Sequence, residues 1–179
     1  IGQFTLREIA FLKIFQNLNL EQRGLVARQG HAFVSTIHYR LYYEIPQNSV
    51  NYIHMYNGSS YSLFYTYSRE LSFWGIDGSI VNANNSVVLR NLPFQFLQGV
   101  CYGKRGDIVD AHILKSRSCF TVEGLAIPAI KPDESFALLS YINSIVGQNS
   151  INQYTAQHKH AGYMNLLPMP DYEQRQKDI

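Results

Sequence analysis

From His31 to Ile130 the chain is cut into short apolar and aromatic runs, and nothing else in the sequence limits the fold as much. HYRLYYEIP (38–46), YSLFYTY (61–67), ELSFW (70–74), SIVNA (79–83), VVLRN, FLQGVCY, DAHIL, SCFTV and GLAIPAI follow one another, each stopped by Gly, Pro, Asn or Asp. Runs of this length, rich in Tyr, Phe, Val and Ile, read as strands joined by tight turns. Asp77-Gly78 between LSFWGI and SIV predicts a hairpin, because both residues tolerate the positive φ that a two-residue turn requires. Asn82, Asn84 and Asn85 predict a further turn.

The two ends carry a helical pattern. Thr5 with Glu8 three residues later forms a capping box, and Phe11, Ile14, Phe15 and Leu18 fall on one face, so a helix is expected over Thr5 to Leu18. A second short helix is expected over Leu20 to Gln29. Pro132-Asp133 opens another, with Asp133 as cap, Phe136, Leu139, Ile142 and Val146 at helical spacing, and Gly147 at its end. A polar loop over 148–165 follows, then LLPMP (166–170), and Asp171 with Gln174 starts a last helix. The expected fold class is α+β: a curved, mainly antiparallel sheet core with an N-terminal helix and C-terminal helices. The expected division is a helical segment over 1–30, one strand-rich domain over 31–170 and the start of a helix over 171–179. A chain beginning at Ile1 and ending inside a helical pattern reads as a piece of a longer protein.

Composition narrows the function classes. With 179 residues and 46% hydrophobic content the chain can build one domain with its own core. Its 15 basic and 13 acidic residues leave a net charge of +2, which neither demands nor excludes nucleic acid. The distribution says more. Arg90, Lys104, Arg105, Lys115 and Arg117 stand against Asp107 and Asp110, a local surplus that is either a phosphate-contacting surface or a solvated sheet edge. Cys101 and Cys119 sit in apolar stretches without metal-ligand spacing and read as buried free thiols of a cytoplasmic protein. No run reaches the ~20 apolar residues of a membrane span, so no membrane partner is expected. Many of the 13 tyrosines alternate with polar residues. That pattern is either ordinary strand propensity or a surface that binds something flat or sugar-like.

Catalytic motifs are missing from the sequence. It contains no Gly-rich phosphate loop, no HExxH, no Asn/Asp-Pro-Pro-aromatic tetrad, and no Pro-Asp followed by Glu/Asp-x-Lys at nuclease spacing. Neither a catalytic residue nor a bound metal is therefore expected in this chain. His158 and His160 at i, i+2 could approach a metal from a loop, but Lys159 between them opposes it. Gln157, His158, Lys159 and His160 read either as donors to phosphates and base edges or as a solvated loop. The Gly103–Asp107 turn places Lys104 and Arg105 between glycines, where the backbone can approach a phosphate.

From about Tyr56 to Pro170 the blocks resemble the target-recognition region of bacterial adenine-specific DNA methyltransferases of restriction–modification and phage-defence systems, a type often fused to an endonuclease. YNGSSYSLFYTYSRELSFWGIDG resembles the opening block, VVLRNLPFQFLQGVCYGKRGD the next, and ILKSRSCFTVEGLAIPAI the paired strands that follow. ESFALLSYINSIV is similar to the family's helix, with Leu138, Leu139, Asn143 and Ser144 in its Leu-Leu-x-x-x-Asn-Ser core. AQHKHAGYMNLLPMP resembles the closing loop, and LPMPDYEQRQKDI the end of recognition domains in Type I specificity subunits. LVARQGHAFVSTIHYRLYYEIP resembles the leading block but departs from its Thr-Gly and Asn, with His31-Ala32-Phe33-Val34-Ser35 in their place.

The resemblance implies sequence-specific recognition of double-stranded DNA. Methyltransferase and nuclease domains would act with it in cis or in trans, and S-adenosyl-methionine and magnesium would belong to those parts and not to this chain. The residues expected at DNA are Arg90, Lys104, Arg105, His112, Lys115, Arg117, Gln157, His158, Lys159, His160 and Tyr163. A carbohydrate- or protein-binding β module, favoured by the Tyr and Asn content, is the alternative. A small hydrolase using His112 or His158 lacks a paired nucleophile.

Overall fold

The computed structural model describes residues 6–33, 39–58, 63–83 and 87–170. The Thr5 cap, the Asn84-Asn85 turn, the first residues of YSLFYTY and the helix expected from Asp171 lie outside them.

The centre is a pair of strands buried at every position: β6 (Gly99–Gly103) and β9 (Gly124–Pro128). Continuous apolar runs such as GVCYG and GLAIP suit strands covered on both faces. β6 lies between β7 (His112–Leu114) and β9, antiparallel to both. Register then sorts the side chains. Val100 pairs with Ile127 and Tyr102 with Leu125, so these four share one face, while Cys101 and Ala126 share the other.

The first face packs on the C-terminal helices. α3 (Pro132–Asn143) turns at Ser144 into α4 (Ile145–Asn152), and α5 (Ala161–Asn165) follows. Leu138, Leu139, Tyr141, Ile142, Ile151 and Met164 close the main core over Val100, Tyr102, Leu125 and Ile127. Leu20 and Ala27, from the first thirty residues, belong to this same core.

The second face meets another sheet. β2 (Tyr39–Leu41), β4 (Glu70–Phe73), β3 (Tyr52–Tyr56) and β8 (Ser118–Phe120) stand in that order, with β3 and β8 parallel and the other pairs antiparallel. Tyr56 and Phe120 pack with Cys101, Leu114 and Ala126 between the sheets. A third cluster, Trp74, Val81 and Val87, lies beside Ile53 with the short pair β1 (Ala32–Phe33) and β5 (Val87–Val88). The fold is α+β, as expected.

Several local expectations differ from the structure, each for a physical reason. The N-terminal helix α1 spans Leu6–Ile14, and Leu18 is exposed beyond it, outside the face it was expected to share. In place of a helix over Leu20 to Gln29 there is one 3-10 turn, Glu21–Arg23, ended by Gly24 at φ 79°. The chain then runs extended along the free edge of β9, where Arg28 and Ala126 exchange both backbone hydrogen bonds at 2.7 and 3.1 Å. Edge pairing satisfies backbone groups that a short isolated helix would leave to solvent.

Asp77 and Gly78 have the positive φ expected of a hairpin, 55° and 77°. The Trp74 carbonyl nevertheless accepts from Ile80 N, and residues Ser79–Asn82 coil into a helix, α2, that buries Val81 against Trp74. The described part of YSLFYTY is likewise not a strand, making only an isolated bridge from Phe64 to His112.

In α3, Lys131 holds the cap position without a side-chain bond, and Pro132 and Asp133 lie inside the first turn. Leu139 and Ile142 are buried, but Phe136 is 59% exposed. Residues 148–165 are not one loop. Ser144 Oγ caps α4 by accepting from Gly147 N at 3.1 Å, and a Cβ at Gly147 would sit 2.2 Å from the Tyr141 carbonyl, so only glycine allows this corner.

Candidate nucleic-acid interface

The turn after β6 and the segment before α5, far apart in sequence, meet through their main chains. Arg105 and His158 form an antiparallel bridge. Lys159 N donates to Lys104 O at 2.7 Å, and Gly106 N donates to Gln157 O at 3.1 Å. The next stretch, 109–111, is held by two amide side chains from the helices. Gln148 accepts from Val109 N at 2.8 Å and donates to Val109 O at 2.7 Å. Asn143 does the same to Ala111, at 3.0 and 2.9 Å. Each amide stands in for a strand neighbour, fixing the basic turn to the helical layer.

Alternation along this short ladder decides which side chains reach solvent. Arg105 and His158 are exposed, and Gln157 with them. His158, half-buried His160 and Tyr163 run on as a row of rings, with centroids 6.0 and 6.4 Å apart. Of the opposite pair, Lys104 is half-buried and Lys159 turns inward. Lys159 is fully buried, and its Nζ donates to Asn152 Oδ1 at 2.7 Å and to the Thr155 and Ala156 carbonyls. Burial pushes its ammonium below the ordinary lysine range, and Asp107 pulls it partly back. Lys159 is a structural cation here and is removed from the expected DNA-contacting set.

Glu123, which the sequence reading did not single out, sits beside both turn cations, 3.4 Å from Lys104 Nζ and 3.0 Å from Arg105 Nε. Thr121 Oγ1 accepts from Glu123 N and so fixes the carboxylate's own turn. The Arg105 side chain stays 70% exposed despite the pair, so its guanidinium can reach a second anion.

The remaining expected contacts lie elsewhere. His112 is fully buried, and its Nδ1 is 3.2 Å from the Tyr56 hydroxyl, so it meets no duplex. Its burial follows from pairing with Cys101 on the face between the sheets. Lys115 and Arg117 are exposed, but Leu114 pairs with Gly99, which puts both at the end of β6 opposite Lys104 and Arg105. Of the basic residues expected at DNA, Lys115 and Arg117 therefore do not share the end of the sheet that carries Lys104 and Arg105. Arg90 is exposed beside Gln29, with its guanidinium 3.4 Å from Gln29 Oε1 and its backbone N donating to His31 Nδ1.

Both cysteines are free and buried, as expected. Burial raises their thiols above the ordinary range, Cys119 to about 12, so neither is a thiolate near neutral pH. Among the described residues no three His, Cys, Asp or Glu side chains gather to hold a metal ion, and no helix is long and apolar enough to cross a membrane. No protein-family model matches the chain, and no curated protein matches it.

Proposed function

We propose that this chain is a sequence-specific DNA-recognition domain serving an N6-adenine methyltransferase of a restriction–modification or phage-defence system, with the chemistry in other domains. The observation that supports it is the main-chain pairing of Gly103–Asp107 with 157–160. It sets an exposed guanidinium opposite an imidazole, with a second imidazole and a phenol following as a row of rings and the exposed Gln157 amide on the same segment. Those are the donor types that meet phosphates and base edges. Phosphate contact here would come from Lys104 and Arg105. Sequence discrimination would come from Arg105, Gln157 and the row of rings.

Titration of labelled duplexes between about 50 and 200 mM salt tests this reading. Contact with several phosphates gives a log-affinity that falls steeply with log salt, by about 0.9 per phosphate. A chain that binds no duplex at the low-salt end overturns the proposal. Methylation or cleavage by the pure chain, supplied with S-adenosyl-methionine and magnesium, would overturn the assignment of catalysis to other domains.

A further inference from the structure

At the other end of β6 lies a second surface, built of exposed tyrosines. Residues 63–67 run beside β7, with Phe64 N donating to Ala111 O at 3.1 Å, and carry Tyr65 and Tyr67, 56% and 52% exposed. Lys115 Nζ sits 5.3 Å from the Tyr65 ring centre. Tyr67 meets Tyr42 edge-on at 5.2 Å, and Tyr42 meets the 69%-exposed Tyr43 at 5.6 Å. β2–β4 pairing continues past its last residues, with Tyr42 N donating to Arg69 O, which brings exposed Arg69 to this edge beside exposed Arg40.

We propose that this face is a stacking platform for unpaired bases, with single-stranded DNA as its occupant. Large aromatic rings gathered in solvent, with cations around them, match a ligand that carries flat π faces on a polyanionic backbone. A duplex presents base edges and keeps base faces stacked, so the ring faces of Tyr65 and Tyr67 have nothing to meet on intact DNA. Charge argues for the polyanion over a neutral sugar. Lys115 sits by the Tyr65 ring, and exposed Arg40 and Arg69 belong to the β2–β4 edge that carries Tyr42, while Glu44 is engaged by Leu41 N and Glu70 is raised by burial. Burial, with a smaller contribution from Lys115, holds the nearby His54 below the ordinary histidine range, so it adds no charge of its own near neutral pH. The inference stands on residues separate from the Arg105 ridge, so single-strand and duplex affinities can fail independently.

The test is fluorescence anisotropy of a labelled oligo(dT) titrated into the whole chain at low salt, with a maltooligosaccharide as competitor. Replacing both Tyr65 and Tyr67 by Ala should weaken oligo(dT) at least about tenfold, as the loss of stacking on two rings implies. Duplex affinity and the circular dichroism spectrum should be unchanged. Replacing both by Phe should keep oligo(dT) affinity within about twofold, because stacking needs the ring and not the hydroxyl. Lys115→Gln should weaken binding and lower the salt slope by about 0.7. The proposal is overturned if oligo(dT) does not bind, if the Ala pair binds normally, if the Phe pair loses as much as the Ala pair, or if the sugar displaces the oligonucleotide.

Discussion

Arg105 and His158 face each other across a one-residue antiparallel bridge, and both side chains point to solvent. On the proposed interface the neighbouring cations of this ladder have different roles. Lys104→Ala removes a charge near the backbone path, so it should weaken all duplexes alike and lower the salt slope by about one unit. Arg105→Ala should instead relax discrimination at one base position, by about 1–3 kcal/mol if its guanidinium reads a guanine edge. Affinities over a randomised duplex pool at several salt concentrations separate the two. Unchanged low-salt affinity in both variants would remove this ridge from the binding surface.

Glu123 holds the two cations that the proposed interface offers to DNA, and would compete with a phosphate for them. Both ion pairs are at least partly solvated, so their loss costs the fold no more than about 1 kcal/mol. Glu123→Gln should therefore leave the melting temperature near its starting value, tighten duplex binding and steepen its salt dependence. Weaker duplex binding by a folded Glu123→Gln protein would show that the carboxylate orients Arg105 toward DNA, and does not compete with it.

Lys159 supplies a control on the same segment. Its Nζ is bonded to Asn152, Thr155 and Ala156 inside the protein. Lys159→Met keeps most of the volume but leaves those acceptors without their donor, a cost of about 1–3 kcal/mol. The expected result is a lowered urea midpoint with an unchanged salt slope for duplex binding. A slope reduced as in Lys104→Ala would mean that Lys159 reaches phosphate after all.

The α+β class, the positions of β4, β6, β7, β8 and β9, and the helix opened by Pro132 were legible because each is a local pattern: an apolar run between turn residues, or apolar residues at helical spacing. The failures are non-local. Nothing in SIVNA separates a strand from a helical turn; Trp74, whose carbonyl takes Ile80 N, decides it. Lys159 and His158 are indistinguishable as neighbours in a polar stretch until strand-like pairing with Lys104 and Arg105 turns one in and one out. Lys115 and Lys104 look like one basic block, and only the β6–β7 register sends them to opposite ends. The Gly103–Asp107 turn and the 157–160 stretch each stood out in the sequence, but not their main-chain pairing, nor Glu123, whose position depends on the turn between β8 and β9. The helix expected over Leu20 to Gln29 fails for the same reason: beyond Gly24, Arg28 pairs with the edge that β9 offers.

His31 should make the fold sensitive to mild acid. Its ring is fully buried, 5.3 Å from Trp74, and its Nδ1 accepts from Arg90 N at 3.1 Å. Nδ1 is thus occupied as an acceptor, and the neutral ring carries its proton on Nε2, a buried atom with no hydrogen-bond partner among the described residues. Charging the ring would break the Arg90 bond and place a cation among apolar groups, and desolvation lowers the pKa from 6.5 to about 4. Below 6.5 the unfolded chain takes up the proton first, so stability present above that pH is lost as pH falls toward 4. The slope reaches up to about 1.4 kcal/mol per unit and the total about 3 kcal/mol. Glu70 works in the opposite sense, since a carboxyl raised by burial favours the folded state at low pH. The measurement is therefore a difference: urea unfolding of the parent and of His31→Gln, which keeps an acceptor for Arg90 N but does not titrate, at steps from pH 7 to 4.5. The parent should lose stability faster than the variant across that window, and parallel curves would show that His31 does not govern the acid response.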